Sequence, residues 1–261
     1  MKMKKPKILI TNDDGVEAPG LRKLIEIIRP LGDVVVVAPD KPQSGMGHAI
    51  TVNTPLRLNL IKQEDNYIEY SCNGTPVDCV KLAEKAVIKG KPDFIFSGIN
   101  HGSNASVNVV YSGTIAAAIE GCIEGVPSVG FSLDDYSLNA DFSHIDDYVK
   151  KISTEVIEKG LPEFTCLNVN FPQINGSKIN GIKVCRQARA RWDEAFEHRV
   201  DPHNRDYYWL TGVFYSDDII EDTDHWAIKN NYVSIVPIHF DFTAYQHLNL
   251  LRNYDWNIEE K

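Results

Sequence analysis

Lys7-Ile-Leu-Ile-Thr11 and Asp33-Val-Val-Val-Val-Ala38 are the two stretches of sequence that decide the fold. An unbroken β-branched run is typical of a parallel strand that is buried on both faces. Between the two runs, residues 20–28 carry apolar side chains at helical spacing. A strand, a helix and a second strand within about 35 residues predict a βαβ unit.

The same alternation continues along the chain. We predict further strands at residues 92–97, 128–132 and 165–170, and helices at 76–88, 114–124 and 146–159. Residues 51–58 and 66–71 alternate in polarity and predict a hairpin. The sequence therefore predicts an α/β fold, with an open, mostly parallel sheet and helices on both faces.

The pattern of apolar and polar residues changes after residue 185. Helical periodicity fades, hairpin-like stretches occur at 207–213 and 232–237, and residues 243–251 form a short amphipathic helical pattern. We therefore divide the chain into a core at residues 1–185 and a C-terminal extension at 186–261 that completes the same domain.

Composition excludes several classes of protein. The chain has 261 residues, of which 43% are hydrophobic and 24% are charged, so it can bury a sizeable core. Its net charge of -9 argues against binding to duplex nucleic acid. No apolar run approaches the roughly 20 residues of a membrane span. The basic stretch at residues 1–6 leads only into a short apolar run, which argues against a signal peptide.

The five cysteines also bear on the compartment. Their number is odd and no two of them form a CxxC pair, which argues against a disulfide framework or a zinc ribbon. We expect reduced thiols and a cytoplasmic protein.

Polar residues collect directly after the first two predicted strands. Asp13 and Asp14 follow the first strand, and adjacent carboxylates repel each other unless a cation or hydrogen-bond donors compensate. Their hard oxygen atoms suit Mg²⁺ or Mn²⁺. Ser44 follows the second strand between glycine-rich neighbours and offers a hydroxyl ligand.

Two more polar groups follow the next predicted strand. Asn100 offers a carbonyl ligand, and His101 beside it is a weaker candidate for an acid. Ser112, Gly113 and Thr114 open an alanine-rich helix, whose unpaired N–H groups and positive dipole end favour an anion. Together these residues predict one pocket that holds a metal ion and a phosphate.

Each feature has an ordinary structural explanation as well. An Asp-Gly turn, a glycine-rich loop and a helix N-cap are common in proteins that bind nothing at those positions. The loop around Ser44 matches neither GxGxxG nor GxxxxGK[ST], so a dinucleotide site and a P-loop are excluded.

The chain resembles the SurE survival-protein family of nucleotidases. The motifs that carry the resemblance run in order along nearly the whole chain: Thr11–Gly15, Ala18–Gly20, Val37–Asp40, Gln43–Gly45, Asn73–Asp78, Ser97–Asn104, Tyr111–Thr114, Glu120–Gly121, Asp201–Trp209 and Thr223–Asp224. Because several motifs match at the expected spacing, the resemblance is specific.

The resemblance implies a Rossmann-like, three-layer αβα fold with a C-terminal β-hairpin and helix arm that forms a homodimer or homotetramer. It implies a metal-dependent hydrolase that releases phosphate from nucleoside 5′-monophosphates, extending to 3′-monophosphates and to an exopolyphosphatase side activity. One divalent ion per subunit, Mg²⁺ or Mn²⁺, would be held by Asp13, Asp14, Ser44 and Asn100. The phosphate would contact Asn104, Ser112, Gly113 and Thr114.

The expected mechanism is attack by a metal-activated water. Asp13 and Asp14 would be the catalytic pair, with Asp13 orienting the water or taking its proton. Two other classes remain open: a non-catalytic sensor of nucleotides or metals, and a phosphatase that forms an aspartyl-phosphate. The second normally carries Asp-x-Asp at the strand end, whereas this chain has Asn12-Asp-Asp.

Overall fold

The computed structural model describes residues 5–137, 139–174 and 176–257. Residues 1–4 of the basic N-terminal stretch, for which the sequence argues against a signal peptide, lie outside this range. The strands are β1 (Lys7–Thr11), β2 (Asp33–Pro39), β3 (Leu58–Glu64), β4 (Tyr67–Cys72), β5 (Phe94–His101), β6 (Ser128–Leu133), β7 (Cys166–Phe171), β8 (Gly181–Val184), β9 (Arg191–Val200), β10 (Asp206–Tyr215) and β11 (Tyr232–Ile238). The α-helices are α1 (Pro19–Ile28), α2 (Pro76–Leu82), α3 (Gly113–Ile123), α4 (Asp146–Lys159), α5 (Asp224–Lys229) and α6 (Leu248–Arg252).

One large sheet organises the described part of the chain. Its strand order is β3-β4-β2-β1-β5-β6-β7-β11-β8. The strands from β4 to β7 run parallel, while β3 and β11 run antiparallel to their neighbours β4 and β7. β1 lies in the interior of the sheet, and its Ile8, Leu9 and Ile10 are fully buried because helices cover both faces.

Helices pack on both faces of this sheet. On one face, Leu21 and Leu24 of α1 share a hydrophobic cluster with Val149 and Ile152 of α4. On the other face, α2 and α3 pack together, and α2 continues as a π-helical segment over Ala83–Ile88. The predicted three-layer αβα architecture with a mostly parallel sheet is therefore confirmed.

The predicted hairpin at 51–58 and 66–71 is displaced in its first strand. The segment at 51–57 is irregular, and the strand that pairs with β4 is β3. A two-residue turn at 65–66 joins the two strands, so β3 must end directly at that turn. Because β3 is a largely exposed edge strand, its sequence does not alternate in polarity, and alternation therefore does not indicate a strand there.

The C-terminal part of the chain forms both an exposed hairpin and a strand of the central sheet. β9 and β10 form an exposed antiparallel hairpin, which is the β part of the predicted arm. The stretch at 232–237, predicted as hairpin-like, is instead β11 of the central sheet, where it pairs with β7 and β8.

Within the described residues, no helix is long and apolar enough to cross a membrane.

Candidate functional site

A cavity of about 270 Å³ opens at the carboxyl edge of β1 and β5. Ligands bind at this edge in open α/β sheets. The cavity brings together six of the residues that the sequence singled out: Asp13, Ser44, Asn100, His101, Asn104 and Ser112.

Asp13 is the buried centre of the site, with only 3% of its surface exposed. The hydroxyl of Thr114 donates a hydrogen bond to its carboxylate. Burial, and next the charge of Asp14, raise the pKa of Asp13 to about 6, although bonds from Thr114 and the backbone of Gly113 oppose this shift. The N-terminus of α3 therefore stabilises an anionic group of the protein itself, the carboxylate of Asp13.

Gly113 is a glycine because Asp13 lies against it. A Cβ atom at position 113 would lie 2.7 Å from the Cβ of Asp13 and 3.0 Å from its Oδ2. The family resemblance predicts that Gly113 contacts the phosphate. In the structure, the space that a larger side chain would need belongs to the Asp13 side chain.

Asp14 lies beside Asp13 and faces the end of β5. Its carboxylate accepts a hydrogen bond of 3.0 Å from the backbone N–H of His101. Burial raises the pKa of Asp14, and the N–H and ring of His101 work against this rise. Among the described residues, no lysine or arginine pairs with either carboxylate. The two acidic groups thus form a desolvated negative centre that hydrogen bonds stabilise but no lysine or arginine of the described residues neutralises.

Asn100 reaches the site through an irregularity in β5. The register of β5 against β6 shifts between Ser97 and Asn100, and Gly98 between them has a φ of +124°. Asn100 thus lies within the strand, not in a loop after it as predicted. Its Nδ2 donates to the carbonyl of Gly102 at 2.7 Å, and its Oδ1 lies 3.5 Å from the hydroxyl of Thr114.

The loop that carries Ser44 is held to the same centre. The N–H of Gln43 donates to the carbonyl of Asp13 at 2.8 Å, and the N–H of Gly47 donates to the carbonyl of Tyr111 at 3.1 Å. Ser44 is exposed on the wall of the cavity. Ser44 and Asp13 therefore border the same space.

The four residues predicted to contact phosphate divide into two pairs. Ser112 and Asn104 line the cavity, whereas Gly113 and Thr114 are directed at Asp13. Ser112 also caps α3, since its Oγ accepts the N–H of Ile115 at 3.1 Å. The Nδ2 of Asn104 donates to Ser132 at 2.8 Å, which fixes the side chain against β6.

Tyr111, Tyr136 and Trp192 form an aromatic wall of the cavity that was not predicted from the sequence. Tyr136 follows the predicted strand at 128–132, so inspection of that strand end could have found it. Trp192 begins the exposed hairpin, and its indole N–H donates to Asn108 at 2.8 Å. No local pattern in the sequence links Trp192 to the strand ends.

Comparisons with known proteins agree with this geometry. Residues 8–194 match the family model described as Survival protein SurE. The chain is 57% identical to a 5′-nucleotidase SurE from Flavobacterium psychrophilum, over 98% of this chain and 100% of that protein. It is 48% identical to a 5′-nucleotidase SurE from Bacteroides thetaiotaomicron, over 99% of this chain and 100% of that protein. The crystal structure of the SurE protein from Aquifex aeolicus aligns with a TM-score of 0.80 at 39% identity, covering 95% of this chain and 98% of that one.

Proposed function

The chain belongs to the survival protein SurE family and is a 5′-nucleotidase, and we propose that it hydrolyses nucleoside 5′-monophosphates with the help of one divalent cation. The observation that carries the proposal is the single cavity that gathers Asp13, Ser44, Asn100, Asn104 and Ser112.

The chemistry of the donor set fits a hard divalent cation. Asp13 and Asp14 supply two carboxylates, Ser44 a hydroxyl and Asn100 an amide carbonyl, and such oxygen ligands suit Mg²⁺ or Mn²⁺. The raised pKa values of the two aspartates reflect negative charge held away from water, which a dication would compensate. These four residues would hold the ion.

When bound, the cation supplies a Lewis acid for the phosphoryl group and lowers the pKa of the water that it holds. The remaining work falls to the protein. Asp13 lines the cavity, and its carboxylate would orient the attacking water and accept its proton. Ser112 and Asn104, which are already fixed by bonds to Ile115 and Ser132, position the phosphoryl oxygens with little reorganisation.

His101 lines the cavity, but its ring is engaged elsewhere. Its Nε2 bonds to the carbonyl of Ser137, so in the neutral ring Nε2 is the donor and Nδ1 is an acceptor. Only the protonated imidazolium form would therefore have a second N–H to offer the departing alkoxide.

The test is the release of inorganic phosphate from a panel of nucleoside 5′-monophosphates, with and without EDTA. We expect release that stops with EDTA and returns with Mg²⁺ or Mn²⁺. The Asp13→Asn variant should no longer release phosphate. The Asp147→Asn variant, which changes an exposed residue on α4, should release it as the parent does. Undiminished release in EDTA, or from Asp13→Asn, would contradict the proposal.

The same panel separates the remaining alternatives. A sensor would bind nucleotide and release no phosphate. An aspartyl-phosphate mechanism would leave a phospho-enzyme that can be trapped with labelled substrate. Adding 3′-monophosphates and a linear polyphosphate to the panel decides the two further activities that the family resemblance implies.

Self-association and location belong to the same proposal. The hairpin of β9 and β10 exposes apolar side chains on both of its faces, Phe196 (66% exposed) on one and Trp209 (58%) and Val213 (72%) on the other. Such exposed apolar surface suits a homodimer or homotetramer. The expected cytoplasmic location rests on the cysteines, which are all buried free thiols.

A further inference from the structure

A second cavity of about 200 Å³ adjoins the candidate active site. It shares Ser103, Asn108, Tyr136 and Trp192 with the first cavity. The two cavities therefore share a wall that includes Tyr136 and Trp192, and a ligand whose phosphate lies beside Asp13 and Ser112 would pass these side chains to enter the second cavity. None of the predicted metal or phosphate residues lines it.

Aromatic side chains form one side of the second cavity. Trp192 and Phe214, which lie at the base of the hairpin, meet edge to face with their ring centroids 5.5 Å apart. The ring of Phe214 also lies against that of His225 in α5, and the two ring centroids are 5.1 Å apart. Such flat surfaces suit a stacked heterocycle, because every nucleobase has a π-face.

Charged groups of opposite sign also line this cavity. Asp134 follows β6 directly, and Lys229 lies one turn after His225 on α5. Burial raises the pKa of Asp134, Asp135 raises it further, and the charge of Lys229 lowers it. The lysine is thus near enough to act on the carboxyl, yet the two form no ion pair in the described structure. Both side chains remain available to a ligand.

We propose that this second cavity is the base subsite of the nucleotide site and that Asp134 and Lys229 make it selective for guanine. The proposal rests on the proposed function. Guanine presents adjacent N1–H and N2–H donors that match the two oxygens of a carboxylate, and its O6 accepts from an ammonium group. Adenine instead turns the lone pair of N1 toward the carboxylate, which leaves a charged acceptor unpaired.

The test compares kcat/KM for GMP, IMP, AMP and ribose 5-phosphate, which lacks a base. The parent should favour GMP over AMP by about 10-fold to 100-fold, the discrimination typical of a two-bond contact to a base edge. IMP keeps N1–H and O6 but lacks the N2 amine, so it should fall between them. Ribose 5-phosphate sets the baseline that owes nothing to the subsite.

Asp134→Asn should remove most of the preference for GMP and leave turnover of ribose 5-phosphate unchanged. Lys229→Met should lower kcat/KM for GMP and for IMP together, because both bases carry O6. Asp135→Asn is the matched control: its carboxylate bonds to the N–H of Ser137 and does not line the cavity, so the GMP preference should persist.

The two failures can be told apart. Equal turnover of GMP and AMP by the parent, or an equal loss on all substrates in Asp134→Asn, overturns the subsite while the nucleotidase activity stands. Turnover of ribose 5-phosphate without turnover of any nucleotide overturns both proposals.

Discussion

Asp13→Asn should make the protein inactive and, without a divalent cation, more stable near neutral pH. In the folded protein the pKa of Asp13 is about 6, against 3.8 for the ordinary side chain. The folded state therefore holds its proton more tightly than the unfolded state. Stability falls as the pH rises through this interval, because the unfolded chain ionises first.

The size of the effect follows from the shift. About two pKa units at about 1.4 kcal/mol each give a cost of about 3 kcal/mol once Asp13 is ionised. An amide at this position can still accept from the hydroxyl of Thr114, but it gives up one hydrogen bond at Gly113, worth about 1 kcal/mol. We therefore expect the variant to gain about 2 kcal/mol near neutral pH.

Urea unfolding in EDTA, followed by circular dichroism at about pH 7.5 and about pH 4, measures both parts of this prediction. The gain should be present at the higher pH and should shrink or reverse at the lower one, where the carboxyl is protonated. Asp65→Asn, at the exposed turn between β3 and β4 and away from any helix N-terminus, provides the baseline for an Asp-to-Asn change. If Asp13→Asn were less stable than the parent at both pH values, the assignment of Asp13 as a strained buried carboxylate would be refuted.

Other regions of the molecule give further predictions. Gly113→Val should lower phosphate release and also weaken cation affinity, because the new side chain displaces Asp13; isothermal titration showing parent-like cation binding would contradict this. Phe196→Ser combined with Trp209→Ser should shift the mass in light scattering toward a monomer, and a parent already monomeric at micromolar concentration would refute the role of the hairpin. Asp224→Asn should cost about 1–3 kcal/mol in urea unfolding. This fully buried carboxylate accepts the N–H groups of Ser106 and Ala188, and an amide can satisfy only one; an unchanged midpoint would refute that account.

The sequence by itself determined the order of strands and helices in the core. The runs at 7–11 and 33–38 recur as β1 and β2, and the helix predicted at 146–159 is α4 with the same bounds. These elements follow from local side-chain periodicity, which a buried strand and an amphipathic helix each impose on their own residues. The candidate ligands were also readable, because the carboxyl ends of parallel strands converge in any sheet of this type.

The tertiary structure decided what those residues touch. Thr114 and Gly113, which are predicted to contact the phosphate, lie against Asp13 in the structure, a contact between groups about one hundred positions apart in the chain. β11 reads like part of a hairpin, yet it pairs with β7 and β8 inside the sheet. Trp192 reaches the cavity only because the hairpin folds back over the loop that contains Asn108. Local pattern records which face of an element is buried, whereas the partner across that face is chosen by packing between distant segments, which periodicity does not encode.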